Sequence, residues 1–421
     1  MKLNKIVVNN ILQMGFIQMI NYLFPLITVP YLLRTIGLSN YGIISVEISI
    51  VQILLIFSDY GFTFTATQRI AVNDKIDGKL VSVIYTYKAI MALFIAFIMV
   101  GTLFILDLNK EMIVFHIGFY FFFLSQSLIP SWLFRGINKV SYVSILTVVS
   151  KLLTLLLMFL LIVKKSDYFL LGVVYAVPTM LTCIVAQILG RKHGLNFKRI
   201  NRNSIITEIS EGKDIFISNI VGVLYTSLNV IVVSFFGGSY AAGIYATCEK
   251  LIGLVNSITN AVSQAVYPTV CKYIVKQESK IEQIKVSIKY FGWWNICTFI
   301  GGILILILAP LLLKIITGTQ VTNTQVLTLR IMSFIPFLIS LGHLFGIQTL
   351  IPLKKSKSVR NAVTVGGVIN ITLGMLLSWM FNAPGTATAI LLCEVAVVLN
   401  EYFSIVSYVK QKEGGVKIVV D

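Results

Sequence analysis

The residues best suited to chemistry in this 421-residue chain are charged side chains set inside long apolar runs. Lys151 lies near the middle of the run 142–163, and Lys250 sits beside Glu249 in the run 241–267. Lys88 falls in 82–106, while Arg330 and Arg34 stand near the ends of 325–349 and 9–33. In hydrocarbon each such charge costs about 2.5–3.5 kcal/mol on insertion scales, so it tends to face a water-filled cavity and mark a pathway. The alternative is snorkelling, in which a long side chain reaches the interface. Depth separates the two readings. Lys151 is roughly ten residues, or about 15 Å, from either end of its run, too deep for easy escape. Lys250 is also well inside, whereas Lys88, Arg34 and Arg330 are close enough to an edge for either reading. Together these five cations are candidates for holding an anionic ligand. Four acids are candidates for carrying a coupling cation: Glu394 near the centre of 386–409, Glu47 in 41–63, Glu249, and Asp59 in Ser58-Asp59-Tyr60-Gly61-Phe62. Asp59 also fits a plain helix-end polar residue.

Other chemistries find no support. The chain has no P-loop, no GxSxG, no metal-ligand helix and no conspicuous carboxylate pair in a loop. The five cysteines are scattered without a CxxC pair and read as small hydrophobes. The histidines, His116, His193 and His343, are far apart, so no metal site is expected. No cofactor is expected either, beyond a proton or sodium gradient.

The elements that must position these groups follow from composition. Hydrophobic residues make up 57% of the chain and charged residues 12%, against roughly 25% charged in soluble domains. Lipid is the solvent that tolerates this balance. A span needs about twenty mostly apolar residues. The runs 9–33, 41–63, 82–106, 113–133, 142–163, 168–190, 214–236, 241–267, 290–313, 325–349, 359–381 and 386–409 meet that length. They must be helices, since lone strands leave backbone groups unsatisfied in lipid. The first run lacks a small-residue cleavage pattern and reads as a retained span. The expected fold is all-α and integral to the membrane, with about twelve spans.

Placement of positive charge tests that count. With the N-terminus in the cytoplasm, 25 of the 34 Lys and Arg fall on inside segments, five fall outside and four lie within spans. One missed helix would invert everything after it, so the bias supports twelve spans with both ends cytoplasmic. The longest inside loop, about 191–213, separates an N-terminal six-helix bundle, 1–205, from a C-terminal one, 206–421. The halves carry a weak repeat. Gly37-Leu38-Ser39-Asn40-Tyr41-Gly42-Ile43 joins spans one and two, and Gly238-Ser239-Tyr240-Ala241-Ala242-Gly243-Ile244 joins spans seven and eight at a constant offset of 201. Under that offset Glu47 corresponds to Glu249 within one residue. Pro25 and Pro30 in span one, and Pro178, Pro310 and Pro336 elsewhere, remove hydrogen bonds and kink helices.

The stretch Asn21-Tyr22-Leu23-Phe24-Pro25-Leu26-Ile27-Thr28-Val29-Pro30-Tyr31-Leu32-Leu33-Arg34-Thr35-Ile36-Gly37, followed by Tyr41-Gly42, Asp59-Tyr60-Gly61-Phe62 and Ala66-Thr67-Gln68-Arg69-Ile70-Ala71, resembles the Wzx-type polysaccharide flippases. These are the O-antigen and capsule repeat-unit translocases of the multidrug/oligosaccharidyl-lipid/polysaccharide exporter superfamily. The resemblance implies two bundles forming a V around a cavity lined by helices one, two, seven and eight, in a bacterial inner membrane. It implies alternating-access flipping of an undecaprenyl-pyrophosphate-linked oligosaccharide from the cytoplasmic to the periplasmic leaflet, not an enzyme reaction. Partners would be the lipid-linked substrate, the bilayer, a polysaccharide polymerase and a chain-length regulator, with no nucleic acid. By analogy Arg34, Glu47, Glu249 and Lys250 stand on the cavity helices, and Lys88 and Lys151 line the N-terminal lobe. Arg330 and Glu394 are carried by position alone. A cation-coupled multidrug exporter of the same superfamily is the alternative, though its cavity should be acidic. A polymerase or ligase would need a large outside loop, and a scaffold would give no reason for deep charges.

Overall fold

The computed structural model describes residues 5–73, 76–105, 107–318 and 320–410; Lys2, Lys75, Lys412 and Lys417 of the charge count lie outside them. The described elements are helical, in the order α1 (Lys5–Asp59), α2 (Phe62–Asn73), α3 (Gly78–Ile105), α4 (Lys110–Leu128), α5 (Ser131–Gly136), α6 (Val140–Leu161), a 3₁₀ turn (Lys165–Leu170), α7 (Leu171–Lys192), α8 (Arg202–Ile274), α9 (Lys280–Thr317), α10 (Asn323–Met332), α11 (Ile335–Gly342), a π-helical stretch (His343–Leu350) and α12 (Ser356–Lys410).

Among the described residues nine helical stretches are long and apolar enough to cross a membrane. Three of them, containing α1, α8 and α12, are each broken once, at Gly37, Gly238 and Asn382. Counting the bent ones as two gives the twelve spans expected from charge placement. The start of α8 at Arg202 is earlier than the run 214–236 predicted, so the connection after α7 is shorter than expected. The exterior is apolar in the way a lipid-facing surface must be: on α3, Phe97 and Phe104 are 79% and 83% exposed.

The bends carry the repeat into three dimensions. Gly37 (φ 80°, ψ 172°) and Gly238 (φ 72°, ψ −178°) adopt the same backbone conformation, which a side chain would disfavour. The glycines that end each motif, Gly42 and Gly243, then meet each other's bend. A Cβ on Gly42 would lie 1.8 Å from the Ser239 carbonyl oxygen, and one on Gly243 would lie 2.1 Å from that of Leu38. Leu38 and Ser239 are themselves 201 apart, so the contact is reciprocal. The third bend uses Asn382 (φ 52°), a residue that tolerates this region, followed by Pro384.

The chain divides into two compact units: residues 1–243 with 316–319, and residues 244–315 with 320–421. In the first unit, α4 and α7 approach until a Cβ on Gly118 would fall 2.4 Å from the backbone of Gly172. Small residues permit such contact where lipid gives helices no hydrophobic reason to associate. Towards the basic end of this unit, Phe62, Ile70, Tyr87, Trp132, Leu133 and Phe134 close into one buried cluster joining α2, α3 and α5. In the second unit the π-helical stretch is tied to α9 and α8: Ser287 donates to the Gln348 carbonyl, and the Gln348 amide donates to Ser263.

Candidate functional site

The break between α4 and α5 sets the geometry of the first unit. Pro130 has no N–H to give and ends α4 two residues earlier, leaving carbonyls without their helical partners. Lys88, 6% exposed, donates to the Ser127 carbonyl, and the Gln187 amide donates to that of Leu128 at 2.6 Å. Tyr85 in turn donates to Gln187 at 2.9 Å, and Ser58 and Ser127 share a hydroxyl hydrogen bond at 2.5 Å. Lys88 therefore terminates a helix, the position where the macrodipole favours a cation.

Beyond the break, α5 turns Arg135 towards a cavity of about 770 Å³ lined by α2, α5 and the first arm of α8. Its walls carry Thr63, Thr67, Gln68, Asn219 and Asp214. The Arg135 Nε is buried without a hydrogen-bond partner among the described residues. Its neighbour Arg69 is clasped by Glu208 and Glu211 of α8, so its charge is matched. Tyr60 stacks on Phe216 at 4.3 Å between ring centroids and fixes the same side of α8 against α2. The result is a recess of mixed character, with Phe64 and Ile215 among its lining, that holds one carboxylate, Asp214, and one guanidinium without an ion pair among the described residues; a guanidinium in that position can bind phosphate oxygens.

The nine candidate residues occupy separate places. In the first unit, Arg34 is exposed and lies against the backbone at Gly318. Asp59 accepts from the Thr63 hydroxyl at 2.5 Å and caps α2. Lys151 sits half-buried over the Phe24 ring, 5.1 Å from its centroid. Glu47 pairs with His116 of α4, Oε1 to Nδ1 at 2.7 Å. In the second unit, Glu249 is half-buried, Lys250 and Arg330 are exposed, and Arg330 Nε donates to the Leu306 carbonyl at 3.2 Å. Glu394 is buried, and so is Glu401, which packs against Gly346 of the π-helical stretch.

Three residues escaped the sequence reading. Arg135 falls between the runs 113–133 and 142–163, although Pro130 signals that the span is cut before it. His116 was set aside with the other histidines as a non-ligand, although it lies near the same end of its span as Glu47 does of its own. Glu401 lies late in the run 386–409, and no signal in the sequence places it inward. Among the described residues no group of three metal-ligating side chains occurs.

Twelve membrane-length helical segments among the described residues, with two glycine bends of one conformation and charged side chains set inside the spans, give the architecture of a membrane transporter. Residues 7–274 match the family described as polysaccharide biosynthesis protein, and the chain belongs to that family. It is 28% identical to the "Putative O-antigen transporter" of Escherichia coli (strain K12), over 92% of this chain and 94% of that protein. It is 26% identical to the protein of the same description from Shigella dysenteriae, over 93% and 98%. The resemblance to the Wzx-type flippases is thereby borne out. Among solved structures the fold is similar to that of the lipid II flippase MurJ in an inward closed conformation, with TM-score 0.69, 14% identity, and coverage of 94% of this chain and 87% of that one. It is also similar to an inward-facing multidrug resistance MATE transporter, with TM-score 0.64, 13% identity, and coverage of 96% and 99%.

Proposed function

We propose that this protein flips an undecaprenyl-pyrophosphate-linked oligosaccharide repeat unit from the cytoplasmic to the periplasmic leaflet of a bacterial inner membrane. Export for O-antigen or capsule synthesis is the pathway this reading serves. The observation that carries it is Arg135, whose guanidinium has no ion pair among the described residues and lines a cavity whose wall also bears hydroxyl and amide groups, beside one carboxylate, Asp214, and the apolar Phe64 and Ile215. Phosphate oxygens suit the first and sugar hydroxyls the second. The basic end of the unit, where Arg69, Arg135 and Arg191 lie, is by charge placement the cytoplasmic end, the side from which such a substrate must enter. Residues 1–205 and 206–421 serve as the two six-helix halves of the repeat. Both termini are cytoplasmic. Arg34, Lys151, Lys250 and Arg330 are the further cations along the route, and a polymerase and chain-length regulator would act on the product. Lys88 is assigned to helix termination instead.

The test is complementation of surface-polysaccharide synthesis in a flippase-deficient strain, with membrane abundance measured alongside. One charge-assisted contact is worth about 1.5–3 kcal/mol, so Arg135→Gln should weaken substrate binding roughly ten- to a hundredfold. Arg135→Lys should retain part of the export. Full export by Arg135→Gln at normal abundance would refute the anionic-headgroup assignment.

A further inference from the structure

Glu47 and His116 form a second, separate site in the first unit. They stand on the wall of a cavity of about 340 Å³ bounded by the second arm of α1, by α3 and by α4. The rest of its lining is almost wholly apolar, with Ile50, Val51, Leu54 and Ile95 among the residues facing the pair. Both side chains keep a small exposure, 14% for Glu47 and 26% for His116. His116 lies six residues into α4, roughly 9 Å below its start at Lys110. Glu47 lies at a similar depth, five residues past Gly42. The pair is therefore near the end of the unit opposite Arg69 and Arg135.

From this geometry we infer that Glu47 and His116 are a proton-exchanging site that couples transport to the proton gradient. An imidazole nitrogen 2.7 Å from a carboxylate oxygen is joined to it by a hydrogen bond. Gain or loss of a proton by the pair changes its net charge by one. In an apolar recess such a change is costly enough to favour a different packing of α1, α3 and α4. Sodium is a poor occupant. The lining offers side-chain oxygens only from Glu47, Thr102 and Tyr120, and the hydroxyls of the last two are given to the carbonyls of Met99 and Ala92. A hard cation needs more oxygens than that.

The other ionisable groups around the pair are few. From α4, Tyr120 is the other titratable residue in the lining, and Lys110 and Glu111 stand at the helix start beside Asp107 of the connection. From the 3₁₀ turn, Tyr168 donates to the Met112 sulfur, with Lys165 and Asp167 at the rim. From α7, Tyr175 packs on Phe119 and Phe122. From α3 the lining contains no charged residue.

The inference rests on the flippase reading for what is transported, but proton binding is measurable without substrate. Infrared difference spectra of the full-length protein in lipid, recorded between acidic and neutral buffer, should contain paired carboxyl and imidazole bands. Both should disappear in Glu47→Gln and in His116→Asn, and persist with altered position in Glu47→Asp. The three histidines of the chain make the imidazole assignment tractable with His193→Asn and His343→Asn controls. Export measured by complementation across external pH should lose its pH dependence in Glu47→Gln. Difference bands unchanged by either substitution would overturn the site. Bands lost with an unchanged export profile would overturn its coupling role, and sodium-dependent bands would overturn the choice of ion. Failure of the wild-type protein to complement would instead count against the flippase reading, with the spectra still deciding the site.

Discussion

Replacing Lys88 by methionine separates a structural lysine from a substrate-binding one. Methionine keeps the length and the apolar stem, so packing around Tyr87 and Ala92 is retained while the donor to Ser127 is lost. Two consequences oppose each other. The carbonyl of buried Ser127 loses its partner, a cost of about 1–3 kcal/mol for a buried polar group left unpaired. Removing a 6%-exposed amine from the interior recovers part of its desolvation cost. A neutral amine donates this bond as an ammonium does, so the first effect holds whatever the protonation state. The expected net loss is about 1–2 kcal/mol, because Gln187 still holds the neighbouring carbonyl of Leu128. Purified Lys88→Met should therefore denature at lower temperature or denaturant than wild type, and export per folded molecule should be unchanged. Lys88→Ala should lose more, since it also opens a cavity. A Lys88→Met protein of wild-type stability and abundance that exports nothing would refute the helix-terminating role and return Lys88 to the substrate path.

Three further outcomes are expected. Gly42→Ala or Gly243→Ala forces a methyl group to within about 2 Å of a backbone oxygen, so either should lower folded yield or abolish export, whereas alanine at Gly101, which has open space around its Cβ position, should be tolerated. Asp167 is held below the usual carboxylate range by the backbone N–H groups of Lys164 and Val163. A depressed value means that its contribution to the turn is fully present at neutral pH and fades only as pH falls through that lowered value; hydrogen exchange of those two amides should rise in acid, and in Asp167→Asn at all pH. Reporter fusions after Lys79, Lys139, Arg202 and Lys285 should report the cytoplasm and those after Asn109, Lys165 and Ser239 the periplasm, a block of inverted signals marking any error in orientation.

Much of the fold was legible because lipid imposes few solutions. Twenty apolar residues must form a helix, and charge bias reveals how many times the chain crosses. The bends were legible for a related reason: a glycine pair spaced alike in two places marks a backbone conformation that side chains forbid. The site was less legible. Depth in a span separates a cavity cation from a snorkelling one, yet Lys88, near enough to a span end for either, is buried for a third reason: Pro130 leaves a carbonyl that needs a donor. Arg135 carries the unmatched charge although it lies outside the apolar core of any run, because a proline break brings it round to a recess. The partnership of Glu47 with His116 depends on α1 and α4 being neighbours. Periodicity along one helix holds no information about the next.

The reciprocal meeting of the two glycine bends has a bearing on how such a chain can change over time. The touching atoms belong to the main chain, which every amino acid shares, so the flanking side chains are free to drift without weakening the contact. This accounts for two halves whose residues have diverged almost beyond alignment and whose bends still superimpose in conformation. Tolerance to mutation around these bends should accordingly be broad, interrupted sharply at Gly42 and Gly243, which stand 201 residues apart.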